Sequence, residues 1–233
     1  MPGDDKVARV PRYSAVLFDL DGTLIDSTGL IVDNFHHTLA AFGLPRQSDA
    51  AWLATVGTPL RVALAPWARD AAMLEAMLAA YREHNLAKHD ACVRAFPGVV
   101  PTVRALLRAE VRLAVVTSKS RAGTMRGLRA AGLDRDFDAL VCIDDVTNGK
   151  PHREPVDRAL ALLGVSADAA LFVGDSLHDM HAGRAADVAT GAALWGPFRR
   201  AHLEPSEPSH WFDSPCAVVD LVLARGGTSD VGS

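Results

Sequence analysis

Two kinds of apolar pattern alternate along the chain. Short continuous apolar runs occupy Tyr13 to Asp19, Val111 to Thr117, Ala139 to Ile143 and Ala169 to Gly174, the pattern of strands buried on both faces. Between them apolar residues recur at helical spacing. Met125, Leu128 and Leu133 lie in a segment opened by Ser120 and closed near Gly132, while Val156, Leu160 and Leu163 follow Pro155 and stop at Gly164. Serine offers its hydroxyl to the free N–H groups of a first turn, proline has no N–H to lose there, and glycine adopts the left-handed conformation that ends a helix. Strands alternating with helices on short connections predict a parallel sheet covered on both faces, with right-handed crossovers. The expected fold class is α/β, with a doubly wound, Rossmann-like core.

One interval departs from this rhythm. From about Ile25 to Ala95 the pattern is helical only, with one stripe at Ile31, Phe35, Leu39 and Phe42 and another at Leu74, Met77, Leu78 and Tyr81. A helical block between the first and second core strands predicts an inserted cap subdomain. The expected division is a core at 1–25 and 96–225, a helical cap at 26–95 and a small, polar, flexible tail at 226–233. Hinges are expected near Asp26–Gly29 and Phe96–Gly98.

Composition narrows the function. At 233 residues the chain can bury a core without a metal or disulfide to hold it, so a bound metal is expected to serve chemistry. Cys92, Cys142 and Cys216 are far apart and form no C-x-x-C pair, which points to no zinc cluster or disulfide framework and predicts a reducing, cytoplasmic setting. A net charge of -4 without a long basic run argues against nucleic-acid and membrane partners. The polar N-terminus and the lack of any apolar stretch of about 20 residues likewise predict neither a secretory signal nor a spanning helix. A monomer or homodimer is expected.

The sharpest chemistry is Phe18-Asp19-Leu20-Asp21-Gly22-Thr23-Leu24, where two carboxylates end a buried strand and a Gly-Thr turn follows. In an open α/β sheet that edge is where ligands bind. The stretch Asp19 to Ser27, D-x-D-G-T-L-I-D-S, resembles the first motif of the haloacid dehalogenase superfamily of aspartate-nucleophile phosphatases. Three further motifs of that family are matched in order: Thr117-Ser118 ending a predicted strand, Gly149-Lys150-Pro151, and Gly174-Asp175-Ser176-Leu177-His178-Asp179. Two acids at a strand terminus suit a hard cation such as Mg²⁺, which takes oxygen ligands. A zinc site on His178 and His181 is not expected.

The resemblance implies a mechanism. Asp19 would be the nucleophile and Asp21 the general acid and base, with Thr117, Ser118 and Lys150 binding the phosphoryl group beside amides of the Gly22-Thr23 turn. Mg²⁺ would be held by Asp19, the main-chain carbonyl of Asp21, Asp175 and Asp179. Within the cap, Thr55 to Arg61 resembles the loop that relatives lower into the site, making Arg61 the candidate for gripping a second anionic group, with Arg82 and Lys88 behind it. Arg153 stands where relatives commonly carry proline. The overall likeness is to phosphoglycolate phosphatases, implying a small phosphorylated metabolite as substrate. Ile143-Asp144-Asp145-Val146 and Tyr81-Arg82-Glu83-His84-Asn85 are similar instead to the inorganic pyrophosphatase branch, and a β-phosphoglucomutase-like phosphomutase would share the nucleophile and cap.

Overall fold

The computed structural model describes residues 11–224. The expected tail at 226–233 lies outside the described residues.

Six parallel strands form the main sheet: β1 (Ala15–Phe18), β4 (Arg112–Val116), β5 (Ala139–Val141), β6 (Ala170–Gly174), β7 (Ala189–Ala193) and β8 (His210–Phe212). Their spatial order is β5-β4-β1-β6-β7-β8, so the direction of winding reverses between β1 and β6. That reversal is the switch point where open α/β sheets bind ligands. Phe18 is in register with Val115 on one side and Val173 on the other, which brings the ends of β1, β4 and β6 to one level.

Alternation along β1 sends its side chains into two cores. Val16 and Phe18 join Val103, Leu106, Leu128 and Val218 on one face, while Ala15 and Leu17 join Val156, Ala159, Leu163 and Ala182 on the other. The first face is covered by α5 (Val99–Arg108), α6 (Arg121–Ala131) and α10 (Pro215–Val222), and the second by α7 (Glu154–Leu163) and α8 (Leu177–Ala185). Helix ends fall where the sequence signals them. The Ser120 hydroxyl accepts from the Gly123 amide, and Gly132 and Gly164 close α6 and α7 in the left-handed conformation. A short helix α9 (Arg200–Leu203) precedes β8.

Apolar runs predict four core strands and the sheet has six. β7 reads Ala-Thr-Gly-Ala-Ala, with no large apolar residue to make a strand legible. Its small residues answer to packing: a Cβ on Gly191 would lie 2.3 Å from the Phe212 ring of β8.

The segment between β1 and α5 contains α1 (Thr28–Ala41), α2 (Asp49–Leu53), α3 (Leu60–Leu64) and α4 (Ala71–Cys92). These helices have their own core, in which Phe35 stacks on Trp52 with centroids 4.2 Å apart and Leu39, Met77, Leu78 and Tyr81 are buried. Both predicted stripes face it. Where the chain enters and leaves, β2 (Ile25–Asp26) pairs antiparallel with β3 (Arg94–Ala95), two strands the hydrophobic pattern does not predict because two residues make no run. Gly29, expected in a hinge, lies in the first turn of α1. Gly98 has φ +88° as the cap of α5. Among the described residues no helix is long and apolar enough to cross a membrane.

Candidate active site

The ends of β1 and β6, with the first turn of α8, bring Asp19, Asp175 and Asp179 together. All three are buried, with one carboxylate oxygen of each within 4.8 Å of the others. Lys150 is buried against them, its Nζ donating to Asp19 Oδ1 (2.7 Å), to Asp179 Oδ1 and to the Val116 carbonyl (3.2 Å). Asp179 Oδ2 closes a capping box by accepting from the Ser176 amide and hydroxyl, which fixes its position. Asp175 Oδ1 accepts from Thr23 Oγ1 at 2.8 Å, while its Oδ2 is buried without a partner among the described residues. The turn after β1 approaches so closely that a Cβ on Gly22, at φ +88°, would lie 2.4 Å from that oxygen, so only glycine fits.

Burial dominates the electrostatics. It pushes Asp19 up to about 7, with Lys150 pulling back and Asp179 pushing further. It raises Asp175 well above the usual carboxylate range, reinforced by Asp19 and Asp179. Burial alone would lower Lys150, but its two carboxylates outweigh that and hold the ammonium charged. One lysine against three clustered carboxylates, one with a bare buried oxygen, leaves uncompensated negative charge. Oxygen donors so arranged fit a hard divalent cation.

Asp21 differs. Its carboxylate accepts from Lys119 Nζ at 2.7 and 3.0 Å and from the Ser27 hydroxyl. Burial would raise it, but the Lys119 ammonium and Ser27 hold it below the usual range. Thr117 is buried at the end of β4, and the neighbouring Ser118 hydroxyl is buried without a partner among the described residues. The Gly22 and Thr23 amides, expected to face a phosphate, instead bond the Ile25 and Leu20 carbonyls inside their own turn. That expectation is corrected, because the tight turn consumes its own donors.

Above this floor opens a cavity of about 1220 Å³ between core and helical block. Gly57, at φ +90°, brings the loop before α3 against Ser176 and His178, and Thr58 Oγ1 lies 3.2 Å from His178 Nε2. Arg61 is on the cavity wall but pairs with Glu75 at 2.6 Å, both more than half exposed. Arg82 and Asn85 of α4 also line the cavity. Lys88 does not; it pairs with Asp33 at 2.8 Å and lines a separate shallow pocket. Arg153, at the N-cap of α7, pairs with Asp157 in that helix.

Sequence reasoning missed several partners. Lys119 clamps Asp21, and its signal was its place directly after Thr117-Ser118 at a strand end. His89 is buried on the cavity wall, its Nδ1 2.9 Å from Asp90, which in turn pairs with Arg126 of the core. Trp195 Nε1 donates to the Thr23 carbonyl at 2.8 Å, bracing the turn. Nothing local in the sequence marks these last contacts.

Comparison with known proteins agrees with this geometry. Residues 16–193 match the model of the haloacid dehalogenase-like hydrolase family. The chain belongs to that family. A pyrophosphatase PpaX of Bacillus cereus is 39% identical over 211 residues, covering 91% of this chain and 97% of that protein. PpaX of Halalkalibacterium halodurans is 35% identical with the same coverage. Among solved structures, a proposed phosphoglycolate phosphatase of Lactobacillus plantarum superposes with a TM-score of 0.78 at 28% identity, over 90% of this chain and 99% of that one. In this haloacid dehalogenase-like hydrolase the buried acid cluster thus sits at the end of the sheet where the family motifs converge, and the helical block forms the opposite wall.

Proposed function

We propose that this hydrolase is a Mg²⁺-dependent phosphatase working through an aspartyl-phosphate on Asp19, with inorganic pyrophosphate as its preferred substrate. Asp19 attacks phosphorus as the bond to the leaving oxygen breaks. Thr117 and Ser118 would donate to the transferring oxygens, and Lys150, bonded to Asp19, would turn its charge toward them as substrate binds. Asp19, the Asp21 carbonyl, Asp175 and Asp179 would hold Mg²⁺, which supplies the positive charge that lets a carboxylate approach a phosphate. Asp21 then takes a proton from the water that cleaves the phosphoenzyme.

The observation that carries the choice of pyrophosphate is the Lys119–Asp21 ion pair. A carboxylate held ionised this way carries no proton to give to a leaving group. Pyrophosphate releases phosphate, whose oxygen needs little protonation, whereas phosphoglycolate releases an alkoxide that needs a full proton. Arg82 and Asn85 on the cavity wall suit a second anionic group, and the relatives named pyrophosphatase support the same reading. Phosphoglycolate, first suggested by the sequence motifs, remains the second reading on the likeness to the Lactobacillus plantarum structure.

The test is phosphate release with Mg²⁺ from pyrophosphate, 2-phosphoglycolate and sugar phosphates. Pyrophosphate should give the highest kcat/KM, and Asp19→Asn should lower kcat by at least about 10⁴-fold. A higher kcat/KM for phosphoglycolate would replace the substrate; turnover surviving in Asp19→Asn would sink the mechanism.

A further inference from the structure

The cavity is larger and more apolar than pyrophosphate needs. Pockets of roughly 300–1,000 Å³ enclose drug-sized organic ligands, and this one measures about 1220 Å³. Its walls above Asp19 include Ile31, Phe35, Leu60, Val62 and Leu86 of the block and Ile143 of the core. Val62 and Leu86 are 59% and 55% exposed, and with Leu162 they are the large hydrophobics that the described residues leave in solvent. Two of those three therefore stand on one cavity wall. Single exposed apolar residues are ordinary, but apolar side chains gathered along a cleft mark where a ligand buries hydrocarbon. Pyrophosphate has none to bury.

We propose that the site also hydrolyses organic diphosphates, monoesters of diphosphate carrying an unbranched apolar tail, with the terminal phosphoryl group at Asp19 and the tail along Val62, Leu86 and Ile143. This rests on the phosphatase reading for the Asp19 floor and adds the leaving side. Arg82 and Leu86 are four residues apart on α4, hence on one face of the helix, so neighbouring side chains can serve the retained phosphate and the tail. An Asp19 oxygen bonds to the terminal phosphorus as its bond to the bridging oxygen breaks, and the organic monophosphate leaves with that electron pair. Water cleaves the aspartyl-phosphate to inorganic phosphate, its proton passing to Asp21. Continuity of the apolar wall with the catalytic floor favours one substrate spanning both.

The experiment measures kcat and KM for n-alkyl diphosphates from methyl to octyl beside pyrophosphate, using the full chain with Mg²⁺. KM should fall about 2- to 4-fold per methylene over the first several carbons, and Leu86→Asp and Val62→Asp, both at exposed positions, should flatten the series. Turnover of pyrophosphate with a KM indifferent to tail length would overturn this inference and leave the pyrophosphatase reading standing. A steep series without pyrophosphate turnover would do the reverse. A series that stays steep in both variants would overturn the assigned wall, and release from no substrate would remove both readings.

Discussion

The floor and the roof of the cavity are built on opposite principles. The floor is buried and crowded: Asp19, Lys150 and the segment Asp175 to Asp179 come from separate parts of the chain, Lys150 bonding Asp19 and Asp179 while Asp175 bonds Thr23. The roof is half-exposed and made of side chains from α3 and α4 that touch solvent, such as Arg61, Val62 and Leu86. Buried charges must be placed well or they destabilise the fold, which ties the floor to one arrangement. Exposed side chains carry no such constraint, so the roof is free to set which substrate is taken. Changes to the floor should therefore act on turnover and stability, and changes to the roof on KM.

The sharpest way to break this division is Asp21→Asn. It should lower kcat by about 10²–10⁴-fold with little change in KM, in steady-state assays with pyrophosphate; a rise in KM alone would place Asp21 with the roof. Next comes Lys150→Ala, which leaves buried carboxylates facing one another. Removing one partner of a buried ion pair costs about 3–5 kcal/mol, and denaturant unfolding of the metal-free protein should show a loss of that order.

A smaller effect follows from Asp19, whose carboxyl is raised from 3.8 to about 7. An acid with a higher pKa folded than unfolded binds more protons in the native state between the two values. Its contribution is therefore full below 3.8 and is lost as pH rises to about 7. In metal-free buffer the melting temperature of Asp19→Asn relative to the native chain should climb across that window and level off above it, and Mg²⁺ should shrink the difference. A gap independent of pH would show that the floor is not strained by its own charge. Smallest are the roof variants: Arg82→Ala should raise the KM for pyrophosphate about 10-fold, as loss of a charged hydrogen bond does. Arg61→Ala should raise it only about 2-fold, because its exposed guanidinium is shared with Glu75. Equal effects would show that Arg61 leaves Glu75 for the substrate.

Much of the floor was legible because strand ends announce themselves. Asp19, Thr117 and Asp175 each follow an apolar run, and parallel register brings such ends together. Lys150 carries no such signal and is legible only through its Lys-Pro motif. Of the Tyr81 to Asn85 stretch, Arg82 and Asn85 reach the cavity while His84 turns to Asp33 and stacks on His37, a split that helical phase permits but does not decide.

From its sequence alone this chain is a doubly wound α/β protein with a helical insertion and an aspartate pair at a strand end. These features follow from local rules, from apolar periodicity, capping and turn chemistry, each read within a few residues. Tertiary structure decided that Lys119 clamps Asp21, that the Gly22 and Thr23 amides close their own turn, that β7 must be small beneath Phe212, and that Arg82 rather than Lys88 faces the cavity. Each depends on distance and burial between segments far apart in the chain or on the rotation of a helix, and no local pattern encodes those.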